Sequence, residues 1–174
     1  MSNASDFFEQ FQRSAWRLET RPFYGPDADE FQRFQHGQSP TAEQQRQRQR
    51  WMDRVAAATS AARMIGRVLV VTGPLTPYLR WRVETGRGHA AVGEDIRIAD
   101  CAEHPALADL VSDYWIFDDE RVLLLEYDPQ GAFLRSRQVT DRAIVERCLR
   151  ERELAIACSL PLRSFSRSPG ERLR

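Results

Sequence analysis

The chain has 174 residues, and all 25 of its Lys+Arg residues are arginine. The absence of lysine excludes every chemistry that needs an ε-amine, such as a Walker-type phosphate loop, a kinase strand lysine, a Schiff base or a phospholipase-D-type His-x-Lys pair. With 25 acidic residues the formal charge is zero, so no global field holds nucleic acid or an anionic membrane, and 42% hydrophobic content predicts a folded domain.

Met1–Ser5 reads as a small polar leader outside the fold. Asp6 and Glu9 form a capping-box-like start, and Phe7, Phe11, Ala15 and Leu18 recur at helical spacing, which predicts a first helix over 6–19 ended by Arg21-Pro22. Pro26, with Asp27, Asp29 and Glu30 behind it, opens a second short helix that buries Phe31 and Phe34 and stops at Gly37. A longer helix over 40–64 presents Trp51, Val55, Ala58 and Ala62 and ends at Gly66. Its Gln/Arg-rich first half reads as a solvated overhang. Arg46, Arg48 and Arg50 would otherwise form a comb for phosphates, but no aromatic residue interleaves with them.

The pattern changes at Arg67. Val68–Val71 reads as a buried strand bounded by Gly66 and Gly73-Pro74. Pro77–Thr85 alternates like a strand, yet Thr76-Pro77 is a good helix start and Gly86 a good stop, so a helix is preferred there. A loop over 86–93, a strand over 95–99 and a polar connection over 100–112 follow. Residues 114–117, 122–127 and 132–139 read as an antiparallel meander whose second turn, Asp128-Pro129-Gln130-Gly131, has type I chemistry. Thr140 caps a last helix to about Cys158 with Ile144, Val145, Cys148, Leu149 and Ile156 inward. The expected fold is therefore one α/β domain over 6–160: a mixed sheet of about five strands ending in the meander, with N-terminal helices and a C-terminal helix packed on it. The Arg-rich segment 161–174 is expected to fray.

Three segments could carry chemistry. Asp113, Asp118, Asp119, Glu120 and Asp128 crowd the meander, and with Glu94 and Asp95 they could hold a cation or share a proton. The turn carboxylates are more simply read as bonding their local backbone, whereas Glu94 and Asp95 have no evident turn duty. If the chain is an enzyme, Glu94 and Asp118 are the candidate acid, base or metal ligands. Arg80 and Arg82, near Tyr78 and Trp81, could clamp a phosphate or carboxylate, or pair with Glu84, Glu94 or Asp95. Arg17, Glu19 and Tyr24 could line a pocket, or Arg17 could pair with Glu19 at a helix end. The four tryptophans read as core, with Trp115 the surest.

His36, His89 and His104 read as solvated loop residues without a neighbouring nucleophile, so a triad is not expected. Cys101, Cys148 and Cys158 form an odd set without metal spacing, which points to a reduced, cytosolic setting, and Asp100 and Glu103 would raise the Cys101 thiol. No stretch approaches a membrane span.

A series of segments also carries a resemblance: Arg-Leu-Glu-Thr at 17–20 followed by Tyr24, Arg-Val-Leu-Val-Val-Thr-Gly-Pro-Leu-Thr-Pro-Tyr at 67–78, Gly-Glu-Asp-Ile-Arg at 93–97, Asp-Tyr-Trp-Ile-Phe-Asp at 113–118, and Tyr127-Asp128 with Gly131. In that order, from about Phe7 to Leu160, they resemble an actinobacterial family known only as a domain of unknown function. Its members are often encoded near helix-turn-helix regulators, which implies a regulatory or signalling role and such a regulator as partner. The expected binding groove then involves Tyr78, Arg80, Glu94, Asp95 and Asp118. The alternative expectation is an enzyme or binding protein for an anionic, phosphorylated or nucleotide-like small molecule, with Arg80 as clamp; direct DNA binding ranks last. The order of elements around Trp115 is also similar to half of a phospholipase-D-like domain, but Asp113-Tyr114-Trp115 stands where that superfamily carries His-x-Lys, so only the fold is implied.

Overall fold

A computed structural model describes residues 4–164. Helix α1 spans Ala4–Gln10, strand β1 Ser14–Glu19, helices α2 and α3 Ala28–Gln35 and Ala42–Ser60, and strand β2 Met64–Val71. Helix α4 (Pro77–Ala91) leads to β3 (Asp95–Asp100), the meander β4 (Asp113–Phe117), β5 (Arg121–Tyr127) and β6 (Phe133–Val139), then α5 (Arg142–Ala157) and a short β7 (Ser159–Pro161). The strands form one seven-stranded mixed sheet in the order β6-β5-β4-β1-β2-β3-β7. Strands β1, β2 and β3 run parallel, and β4 turns the sheet antiparallel by pairing with β1.

The α/β architecture is as expected, with two strands more than the sequence suggested. Ser14–Glu19 is a central strand and not the second half of a helix. Phe7 and Phe11 do share a cluster with Ala15, but Leu18 packs on the opposite face of the sheet. Two charged residues, the partly buried Arg17 and the buried Glu19, alternate with Trp16 and Leu18, and they hid the two-residue period. The other missed strand, β7, is three residues added antiparallel to β3.

Helix α2 leaves Phe34 exposed instead of buried, and the other differences are mainly at element ends. Helix α3 closes with Ala62 in the left-handed region at φ 55, and Gly66 instead lies inside β2. Trp16 explains that glycine: Gly66 is its cross-strand partner, and a Cβ there would stand 2.7 Å from the indole ring. The segment Pro77–Thr85 is helical, with Thr76 accepting from the Leu79 amide, and the helix runs through the expected loop 86–93 as far as Ala91. Gly86 leaves room for Leu162, whose Cδ2 would lie 3.2 Å from an added Cβ. Asp141, not Thr140, caps α5. The tail expected to fray lies outside the described residues beyond Ser164.

Both faces of the sheet are covered. On one, Trp16, Leu18, Val68, Val70, Tyr114, Ile116 and Val122 pack against Val145, Cys148 and Ala155 of α5. The other face carries two apolar zones: Ala15, Ile65, Trp115, Phe117 and Leu123 lie under α1 and α3, while Leu69, Val71, Ile96 and Ile98 lie under α4. Buried apolar area at about 25 cal/mol per Å² makes this two-sided sandwich the main source of stability. Between the zones, where β1, β2, α3 and α4 meet, the interior is charged.

Candidate functional site

Cross-strand register creates the charged centre. Arg17 of β1 stands opposite Arg67 of β2 and Trp115 of β4. Glu19, two residues on, points the same way because side chains alternate along a strand. Glu19 is 2% exposed and faces three guanidinium groups: Arg17 Nε at 3.0 Å, Arg67 Nη1 at 3.4 Å and Arg82 Nη2 at 2.6 Å. The Arg17 Nε contact is close enough for an ion pair but too poorly aligned for a hydrogen bond.

The network extends in both directions. Arg67 Nε and Nη2 each lie 2.6 Å from Glu94 Oε1, and Trp51 Nε1 donates to Glu94 Oε2 at 2.8 Å. His89 Nδ1 lies 3.6 Å from the same oxygen. Arg82 Nη1 donates to Asp27 Oδ2 at 3.1 Å and to the Tyr78 hydroxyl at 3.2 Å, and Tyr78 in turn donates to Asp27 at 2.5 Å. Three buried or nearly buried arginines are thus matched by Glu19, Glu94 and Asp27. Aromatic faces complete the enclosure: the Arg17 guanidinium lies 5.4 Å from the Tyr24 ring centroid and 5.9 Å from that of Trp115, and Arg67 lies 5.6 Å from Trp51.

Ionisation follows from this arrangement. Burial alone would raise the Glu19 carboxyl, but Arg17, Arg82 and Arg67 outweigh it and hold the pKa down at about 2. Arg17 and Arg82 are raised above the ordinary arginine value because their carboxylate partners overcome the cost of burial. His89 is lowered to about 4, by burial first and then by the Arg67 charge, so it stands neutral against Glu94. Asp113 is raised by burial; it accepts a short hydrogen bond from the Tyr24 hydroxyl and longer ones from the Thr20 amide and hydroxyl. The Tyr24 hydroxyl is raised as well, by burial and by the nearby Glu19 and Asp113 carboxylates.

Seven of the residues singled out from sequence therefore converge: Arg17, Glu19, Tyr24, Arg82 and Glu94 belong to the network or its edge, Asp113 joins through Tyr24, and Tyr78 through Arg82 and Asp27. Of the others, Arg80, Asp95 and Asp118 are elsewhere. Arg80 is exposed, and its Nε reaches only the Leu75 carbonyl at 3.5 Å. Arg82 pairs with Glu19 and Asp27 instead of Glu84, Glu94 or Asp95. Asp95 faces Arg97 at 3.7 Å. The Asp118 carboxylate accepts from three successive amides, Gln12, Arg13 and Ser14, at 2.6–3.1 Å, and so anchors the α1–β1 link. The expected groove of Tyr78, Arg80, Glu94, Asp95 and Asp118 is consequently not assembled, and Glu94 and Asp118 hold separate sets of partners.

Sequence reading missed Arg67, Asp27, Trp51 and the place of His89, which lies on α4 and is partly buried. An arginine directly before an apolar strand run was the available signal for Arg67. The arginine comb of α3 is also answered within the chain: Arg46 and Arg50 pair with Glu43, and Arg48 with Glu30. Cys101 is raised by burial and by Asp100, as the sequence suggested for the acid.

The network leaves little space. The cavity bordered by Glu19, Tyr24, Tyr78 and Arg82 measures about 10 Å³, room for no more than one water. Among the described residues no three His, Cys, Asp or Glu side chains gather as a metal site, and no helix is long and apolar enough to cross a membrane. A wider groove of about 780 Å³ runs beside the C-terminal end of α4, lined by Arg87, Ala90, Asp95, Ile96, Arg97 and Arg163 among others. No curated protein matches the sequence. The family model described as Domain of unknown function (DUF6879) matches residues 2–167, and the chain belongs to that family.

Proposed function

We propose that this chain is a non-catalytic regulatory module that binds a protein partner, a helix-turn-helix regulator of the same actinobacterial system being the partner class that the sequence resemblance implies. The observation that carries the reading is the edge of the sheet that stands open among the described residues: β6 is exposed over 133–138 and shows Phe133 and Leu134 to solvent at 46% and 61%. The charged interior supports it, because its carboxylates and guanidiniums are matched to one another and so serve the scaffold. Affinity capture with the tagged full chain in its own host, followed by reconstitution of the captured pair from purified components, tests the reading. Recovery of a stoichiometric protein partner supports it, and recovery of none overturns it.

A second reading, binding of an anionic small molecule, is favoured by one observation: Arg87, Arg97 and Arg163 line the same groove, and Arg97 is fixed by Ser159 Oγ at 2.8 Å. Asp95 and the negative end of α4 lie beside those arginines and weaken the site for anions, which ranks this reading second. Thermal-shift measurements with nucleotides and phosphorylated metabolites separate the two: stabilisation lost in Arg97→Ala would favour the small molecule.

A further inference from the structure

The two edges of the sheet differ. Strand β7 is three residues long and ends in Pro161, which blunts it as a template, whereas β6 offers seven residues without proline, five of them, Arg135–Val139, in regular register beyond a bulge at Leu134. The sequence of β6, Phe-Leu-Arg-Ser-Arg-Gln-Val, contains two cations and no acid. Arg135 and Arg137 are two residues apart, so they project from one face roughly 7 Å from each other. Both lean on a single carboxylate of β5, Glu126, at 2.7 and 3.7 Å, and their side chains remain 70% and 53% exposed. One carboxylate cannot occupy the five donors of each guanidinium, so both arginines keep donors free on the open side.

This pattern selects among occupants. An antiparallel second copy centred on Ser136 would set Arg135 of each chain against Arg137 of the other, and a parallel in-register copy would set like against like. Like charges directly opposite destabilise a strand pair. Resting on the partner-binding reading above, we infer that β6 accepts an extended acidic segment of a different protein as an eighth strand, with carboxylates at alternate positions facing Arg135 and Arg137 and apolar side chains covering Phe133 and Leu134. Main-chain hydrogen bonds supply the affinity of such strand addition and the alternate side chains its selectivity.

The test uses the full chain and a capped nine-residue peptide alternating Glu with Val and Thr, its Lys counterpart, and the Glu peptide with alternate amides methylated. Amide chemical shifts and hydrogen exchange are read on the isotope-labelled protein. The expected result is shifts and new protection along 133–139 with the Glu peptide and none with the other two. Arg135→Ser combined with Arg137→Ser should weaken binding roughly fivefold, the scale of two cross-strand charge pairs, and Glu126→Gln should tighten it by releasing both guanidiniums. Perturbation centred elsewhere, indifference to amide methylation, no binding at millimolar peptide, or wild-type self-association through 133–139 would each overturn the inference. Capture experiments keep the two ideas apart. A partner retained equally by the wild type and the double Ser variant leaves the module reading standing and removes this site, whereas peptide pairing without any captured partner does the reverse.

Discussion

Glu19 Oε2 lies 2.6 Å from Arg82 Nη2, which ties the end of the central strand β1 to the helix that connects β2 with β3. The same carboxylate faces Arg17 and Arg67, so its removal leaves three guanidiniums with too little compensation in a nearly dry interior. Glu19→Ala should destabilise the fold by about 3–5 kcal/mol in urea titrations, the range for breaking a buried ion pair from one side. Arg82→Ala should fall in the same range.

Acid should act on this centre in two stages. Glu19 has a folded pKa of about 2 against an ordinary 4.5, so its stabilisation is complete above about 4.5 and is lost as pH falls toward 2. His89 is lowered to about 4 from 6.5; the folded state binds fewer protons there, so stability falls as pH drops from 6.5 to about 4. Stability measured against pH should therefore decline from about 6.5 downward. His89→Gln should flatten the upper stage while leaving the lower one in place.

Gly66 and Trp16 should behave as a coupled pair. A Cβ at Gly66 meets three indole carbons at 2.7–2.9 Å, so Gly66→Ala should cost about 1–3 kcal/mol through displacement of the ring. In a double-mutant cycle with Trp16→Leu the cost should shrink, because the atoms that obstruct the methyl are gone.

Two residues that look equally functional in the sequence should differ sharply. Asp118→Ala removes the acceptor of three amides and should destabilise by about 2–3 kcal/mol, whereas Arg80→Ala should change stability by less than about 0.5 kcal/mol. Thermal denaturation of the two variants checks the contrast.

Much of the architecture was legible because local chemistry and tertiary demand agreed. Pro77 after Thr76 marked α4, the apolar run at Val68–Val71 marked β2, and Asp128-Pro129-Gln130-Gly131 marked a turn that closes with the Gly131 amide donating to the Asp128 carbonyl at 3.0 Å. The reading of β1 as helix failed where they disagreed. Periodicity assumes that inward-facing means apolar, and the partly buried Arg17 and buried Glu19 are charges whose place inside rests on partners far along the chain.

The same distinction divides what each level decided about this protein. The sequence by itself determined the α/β class, most elements, the family and the exclusion of amine chemistry, because composition, turn residues and short-range periodicity are local properties. Only the tertiary structure decided how the charges are used. Arg17, Arg67 and Arg82 come from three elements separated by up to 65 positions, and the parallel pairing of β1 with β2 together with the packing of α4 brought them around Glu19. Which arginines stay at the surface was settled in the same way, by strand order: it places β1 at the centre and leaves β6, with Arg135 and Arg137, at the open edge.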